Sequence, residues 1–371
     1  MFHLFFTLPA LYVIVRFLLP LPLPVALKLG AAVVILLASQ YHFFARLSSG
    51  SVFSPEMPRG VIIAFNWAFS AIVLLAFLQL ALDALTIVVM LATQARADIP
   101  VYARATAGTI AMALAAVGVH QAIRIPPVKD IEVAIKDLPP QFEGYRLIQL
   151  TDMHISRLFP KAWTHRLVED TQRLDADLIL ITGDLIDGSV QHRQQDVEPL
   201  RGLHAKDGVY FIPGNHEYFF DYHRWIAHFS GLGLQPLANR HVVITRAGAE
   251  LVVAGVTDLS APAHGLPGPD LSLALRGAPQ NAPVILMDHQ PRKARLAAER
   301  GVALQLSGHT HGGLVRGLDR LFASPNGGFV SGRYDVLGMT LYVNNGTALW
   351  PGMALRLGRP SELTRITLVR R

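Results

Sequence analysis

An α/β domain preceded by an all-α, membrane-type segment of about four helices is the architecture that this 371-residue sequence predicts. Two features carry the prediction. Four apolar stretches crowd into the first 125 residues, and from Tyr145 onward short β-rich runs alternate with helix-compatible ones. Composition agrees, because 51% hydrophobic with only 16% charged residues is too apolar for a wholly soluble chain of this length.

The apolar stretches are Phe2 to Leu19, Val25 to Phe44, Val61 to about Leu82 with an apolar continuation to Leu91, and Ala105 to Ile123. At ~1.5 Å per residue each matches a hydrocarbon core of ~30 Å, so four transmembrane helices are expected. The first does not read as a cleaved signal: it has no basic start and runs into Pro20, Pro22 and Pro24 instead of a small-residue cleavage site. Arg16 and Lys28 lie near span ends, where their stems can snorkel. Asp83 follows Gln79 at i, i+4 spacing, and a helix ending near Leu82 places it among headgroups. Arg46, Arg59, Arg124 and Lys129 would lie on one side, Arg96, Arg104 and Lys28 on the other, a balance that leaves the side of the α/β domain open.

The net charge of +6 does not point to nucleic acid. Residues 1–125 hold seven Lys/Arg against three Asp/Glu, leaving twenty-six against twenty-four beyond them, with no basic stripe. The absence of cysteine excludes disulfides, a thiol nucleophile and iron–sulfur clusters.

Proline pairs at Pro126-Pro127 and Pro139-Pro140 cannot continue a helix, so an extended exit with one short strand, Ile131 to Lys136, is expected between them. The expected organisation is a helical membrane domain at 1–124, a linker at 125–144 and a catalytic domain at 145–371. Its strands are expected at 146–150, 178–181, 209–212, 242–244, 251–256, 284–287, 302–306, 340–343 and 366–369, with helices at 161–174, 222–229 and 292–300.

Five of these strands are followed by side chains able to bind metal. They lead to Thr151-Asp152-Met153-His154, to Gly183-Asp184-Leu185-Ile186-Asp187, to Gly214-Asn215-His216-Glu217, to Asp288-His289 and to Gly308-His309-Thr310-His311. The carboxyl ends of strands are where open α/β sheets gather their ligand sites. Gly183, Gly214 and Gly308 let the chain turn sharply enough to bring the next side chain in.

This ordered series resembles the calcineurin-like metallophosphoesterase superfamily from about Tyr145 to the C-terminus. Within it, His311-Gly312-Gly313, Gly338-Met339-Thr340-Leu341-Tyr342 and Arg356-Leu357-Gly358-Arg359-Pro360 most resemble the bacterial membrane-associated phosphodiesterase branch. The resemblance implies a four-layer αββα sandwich with two divalent metal ions. One would be held by Asp152, His154, Asp184 and His311, the other by Asp184, Asn215, His289 and His309. Two dications ~3.5–4 Å apart repel by on the order of 18 kcal/mol at an effective dielectric of ~20, so a bridging anion such as Asp184 is needed. The oxygen and imidazole donors suit Mn, Fe, Zn, Ni or Co. The reaction implied is in-line attack on phosphorus by metal-bound hydroxide, with His216 as general acid and with Asp187 and Glu217 orienting the donors.

Protein Ser/Thr phosphatases of the same superfamily carry an arginine after the second aspartate of the Gly-Asp motif. Here Gly188 and Ser189 follow Asp187, which argues against phosphoprotein substrates; Arg316 and Arg333 are the candidate replacements. Asp258, after another strand, is a candidate for shaping the site. The expectation is a multi-pass integral protein of a bacterial cytoplasmic membrane that hydrolyses a phosphomono- or diester, with a lipid-linked phosphodiester or pyrophosphate suggested by location. Its rivals are a non-catalytic sensor or scaffold that binds a phosphorylated ligand, and a transporter working through Asp83.

Overall fold

The computed structural model describes residues 2–371 and divides them into two compact units. One comprises the chain up to Ala122 together with Pro351–Leu357; the other comprises Ile123–Trp350 and Gly358–Arg371.

The first unit is helical: α1 (Phe2–Val13), continued as a π-helical turn over Ile14–Leu18, α2 (Val25–Ser39), α3 (Tyr41–Ser49), α4 (Arg59–Thr93) and α5 (Val101–Ile123). Pro20, Pro22 and Pro24 separate the first two helices, because proline removes a backbone donor and clashes with the preceding turn. Ala10 and Val13 of α1 pack against Ala38 of α2 and Ile72 of α4, where small side chains let the helices approach. Asn66 of α4 pins the C-terminal insertion, donating to the Pro351 carbonyl at 3.0 Å and accepting from the Ala354 N–H at 2.6 Å.

Of the four expected spans, α4 and α5 are long and apolar enough to cross a membrane. The bent pair α2 and α3, kinked by 51°, makes a third if read as one span, and the first apolar helix is shorter. The expected end near Leu82 is displaced. Helix α4 runs on to Thr93, so Asp83 lies within it and pairs with Arg16 at 3.0 Å. Hydropathy alone cannot register that partner, which is distant in sequence.

The second unit is built on two six-stranded sheets. The strands are β1 (Val128–Ile135), β2 (Arg146–Leu150), β3 (Leu178–Ile181), β4 (Val209–Phe211), β5 (Gln235–Pro236), β6 (Arg240–Arg246), β7 (Ala249–Gly255), β8 (Val284–Met287), β9 (Leu304–Ser307), β10 (Gly332–Val336), β11 (Met339–Val343) and β12 (Leu363–Arg370). The sheets run β1-β12-β2-β3-β4-β5 and β10-β11-β9-β8-β7-β6. Strands β2 to β5 are mutually parallel, as are β7, β8, β9 and β11, and these runs are joined by helical crossovers. The segment expected as a linker supplies β1, which pairs with β12 over its whole length.

Side-chain alternation sorts the layers. Leu178 and Leu180 of β3 meet Ile285, Met287, Leu304 and Leu306 in the core between the sheets. On the outer face of the second sheet, Leu286 and Leu341 pack against Ala294 and Ala297 of a helix at Ala294–Glu299. Outside the first sheet, Phe211 meets Phe229 of the helix Tyr222–Gly231 with ring centres 5.6 Å apart. Helix, sheet, sheet, helix is the resulting order, the four-layer α/β sandwich that the family resemblance implies.

Candidate metal centre

The loops after β2 and β3 are zipped together by backbone hydrogen bonds. The Asp152 N–H donates to the Gly183 carbonyl at 2.9 Å, and the His154 N–H to that of Asp184 at 3.1 Å. These bonds bring the Asp-x-His and Gly-Asp-x-x-Asp motifs to one point. The backbone there is strained: Asp152, His154, Asp184, His309 and His311 all have φ between 40° and 67°, the left-handed region that non-glycine residues avoid. Each such residue costs about 1–3 kcal/mol, and strain of this kind collects where side chains must be aimed at a common target.

Three sets of donors lie within reach of a common ion: Asp152, His154 and His311; His154, Asp184 and His216; and Asp184, His289 and His309. Nε2 of His154 is 3.2 Å from Nε2 of His311 and 3.8 Å from Oδ2 of Asp184. The same Asp184 oxygen is 3.2 Å from Nε2 of His289. Oδ1 of Asn215 lies 3.2 Å from His289 Nε2 and 3.0 Å from His309 Nδ1. The seven side chains expected to bind metal, together with His216, therefore gather here. Two imidazole nitrogens aimed at each other among carboxylates is a donor set that fits a cation.

Close approach explains two glycines. A Cβ at Gly214 would collide with the Asp184 carboxylate, and one at Gly308 with that of Asp152.

Supporting groups fix the donors. The His289 Nδ1–H donates to the Thr182 carbonyl at 2.8 Å, leaving Nε2 to face Asp184. Asp187 bridges two imidazoles, reaching Nδ1 of His154 at 3.1 Å and Nδ1 of His216. Glu217 accepts from three backbone N–H groups, those of Asp184 (3.0 Å), Leu185 (2.7 Å) and Gly214 (2.7 Å), and so ties the β3 loop to the β4 loop. The role of Thr182 acts through its main chain, so no side-chain pattern could reveal it.

Charges in this buried cluster are strongly coupled. Burial alone pushes the His216 imidazole down, but the Asp184 and Asp187 carboxylates outweigh it and bring it up to about 9. Burial likewise opposes ionisation of Asp184, yet His289 and His216 hold it well below the usual carboxylate range. Burial pushes Glu217 up to about 7, with the Asp184 charge adding to it.

Asp288 stays outside the three donor sets; burial, then its neighbour Asp258, push it up to about 7. Asp258 accepts from Gln290 Nε2 at 2.9 Å, bracing the residue after His289. Neither candidate arginine joins the cluster among the described contacts: Arg333 donates to the Glu132 carbonyl, and Arg316 packs beside Gly358.

Residues 145–313 match the family model described as calcineurin-like phosphoesterase. They form a calcineurin-like metallophosphoesterase domain. The chain is similar to a transmembrane protein with metallophosphoesterase domain from Danio rerio, with 34% identity over 271 residues, 70% of this chain and 61% of that protein. Its counterpart from Bos taurus shows 34% identity over 279 residues, 71% and 62% of the respective chains. An uncharacterized metallophosphoesterase of Helicobacter pylori is 30% identical over 254 residues, covering 68% of this chain and 66% of that one. The chain thus spans about three-fifths of the first two relatives. The metallophosphoesterase domain supplies the hydrolase class, and its His and Asp groups could hold metal.

Proposed function

We propose that this metallophosphoesterase hydrolyses a phosphodiester or phosphomonoester at a dinuclear metal site while anchored in a membrane by its helical unit. One observation carries the reading: a single carboxylate, Asp184, stands between the His154 and His289 donor groups. Asp152, His154, Asp184 and His311 would hold one ion, and Asp184, Asn215, His289 and His309 the other, drawn from Mn, Fe, Zn, Ni or Co. When bound, the pair supplies Lewis acidity toward phosphoryl oxygens and depresses the pKa of water.

The chain's own residues do the rest. Asp187 holds the His216 ring by Nδ1, leaving Nε2 to donate a proton to the departing ester oxygen. Glu217 keeps the Asp184 and Gly214 backbones in register, and Thr182 fixes the tautomer of His289. The membrane reading rests on helices α4 and α5 and, by similarity, on the relatives named as transmembrane proteins. It makes the fold a multi-pass membrane protein and favours a lipid-linked phosphodiester or pyrophosphate substrate. Gly188 and Ser189, where phosphoprotein phosphatases place an arginine, disfavour phosphoproteins.

The test is hydrolysis by full-length protein in detergent, supplied in turn with Mn, Zn, Fe or chelator. Substrates are soluble mono- and diesters and a lipid extract. Metal-dependent turnover with two ions per chain, lost in Asp184→Asn, is expected. One ion per chain, or turnover indifferent to chelator, rejects the dinuclear site; soluble nucleotides cleaved fast while lipids stay intact rejects the lipid substrate.

A further inference from the structure

His216 sits in the five-residue helix Asn215–Phe219, and Phe219 follows it at i+3, the spacing that puts two side chains on one helical face. The ring centres of Phe219 and of the next residue, Phe220, lie 5.1 Å and 6.4 Å from that of the imidazole. Other described neighbours of His216 are the His154 ring, 4.6 Å away, and the Asp184 and Asp187 carboxylates, all of them buried. Phe219, by contrast, is 38% exposed. Single apolar side chains exposed on a protein surface are ordinary. Phe219 is set apart because its ring rests against the proton donor of the proposed reaction.

The ring belongs to a packed group. His264, from the loop after β7, lies 5.9 Å from Phe219 and 6.1 Å from Tyr218 between ring centres. Tyr218 is buried and stacks on Tyr222 at 4.8 Å, with the two planes 10° apart. The turn that follows is pinned as well. Asp221, in the left-handed region, accepts from the Arg224 N–H at 3.3 Å and starts the helix Tyr222–Gly231. An exposed ring held this way offers a fixed apolar surface without the entropy cost of ordering a loose side chain.

We infer that Phe219, with His264 beside it, forms the leaving-group subsite and selects phosphoesters whose departing alcohol is apolar next to the ester oxygen. Proton transfer requires that oxygen within about 2.6–3.2 Å of His216 Nε2. The carbon atoms bonded to it then lie beside the imidazole, within reach of a ring centred 5.1 Å away. Phe219 gives such a stem dispersion contact and apolar burial, and gives the hydroxyl groups of a polar alcohol no hydrogen bond. It is a specificity-determining residue and takes no part in breaking the bond. The inference rests on the hydrolytic reading above, with His216 as general acid; the identity of the metals and the membrane location do not enter it.

The test supplies full-length, metal-loaded protein in detergent with benzyl methyl phosphate and, separately, butyl methyl phosphate, both water-soluble anions. Each diester offers two alcohols of similar basicity, so the ratio of alcohols released reports the choice of leaving group. Loss of folding or of metal lowers both products together and leaves that ratio where it was. Wild type should release benzyl alcohol and butanol in preference to methanol. In Phe219→Ala the preference should fall by about two- to tenfold, the worth of one aromatic contact, and in Phe219→Tyr, which keeps the ring, it should persist. Preference for both alcohols marks an apolar stem of any shape, and preference for benzyl alone marks a flat ring. A ratio near one in wild type, or a ratio unchanged in Phe219→Ala, overturns the subsite. For a protein that cleaves monoesters only, a mixture of benzyl phosphate and methyl phosphate gives the same ratio. If no ester is turned over, the hydrolytic reading fails by itself, and calorimetric titration with benzylphosphonate and methylphosphonate decides the subsite. Tighter binding of the benzyl compound, lost in Phe219→Ala, retains it; equal binding of the two removes it.

Discussion

His216 has its ring fixed by Asp187 and its charge favoured by two carboxylates. Replacing it by alanine should lower kcat by ~10²–10⁴, the usual worth of a general acid, with little change in KM. Binding and phenotype surviving unchanged in that variant would instead favour a ligand-binding scaffold. The acid works protonated, so wild-type kcat should fall as pH rises through its pKa, and this basic limb should be absent from the His216→Ala profile. Glu217 makes a different prediction. Truncation to alanine leaves three buried N–H groups without an acceptor, and even partial relaxation should cost about 2–3 kcal/mol. Chemical denaturation of metal-free protein measures it.

At the scale of elements, the site depends on how closely two loops pass. Gly214→Ala would drive a methyl group into the Asp184 carboxylate, so this variant should fold with reduced metal content, read by elemental analysis of purified protein. The five strand-end motifs were legible because each sits beside a buried, strongly apolar run. Strands β2, β3 and β8 coincide with their expected ranges, Arg146–Leu150, Leu178–Ile181 and Val284–Met287. Strand β10 was not legible: Arg333, Tyr334 and Asp335 carry no apolar alternation, and pairing with β11 makes the strand. The helix Val190–Val197 was hidden likewise, since Gln191, His192, Arg193, Gln194 and Gln195 show no apolar stripe, and its Arg193 is nonetheless fully buried. The left-handed backbone at Asp152, His154, Asp184, His309 and His311 leaves no trace in composition, because it is imposed by the tertiary hydrogen bonds of the loops.

For the whole molecule, the proposed metal site would link metal binding to stability. Asp152 and Asp184 are both buried, and burial pushes Asp152 above the usual carboxylate range. Cations that bind only the folded state stabilise it by about 2.7 kcal/mol at a hundredfold excess over Kd. Dialysis against chelator should therefore lower Tm by several degrees, and restoring Mn or Zn should reverse the loss. The C-terminal strand has a consequence for biosynthesis. Val128 of β1 pairs with Leu363 of β12, 235 residues downstream, and β12 lies between β1 and β2. At ~5–20 residues per second a nascent chain displays β1 as an unclaimed ribbon for roughly 12–47 s before its neighbour emerges. Ribosome-associated chaperones shielding that ribbon should set the yield of active enzyme.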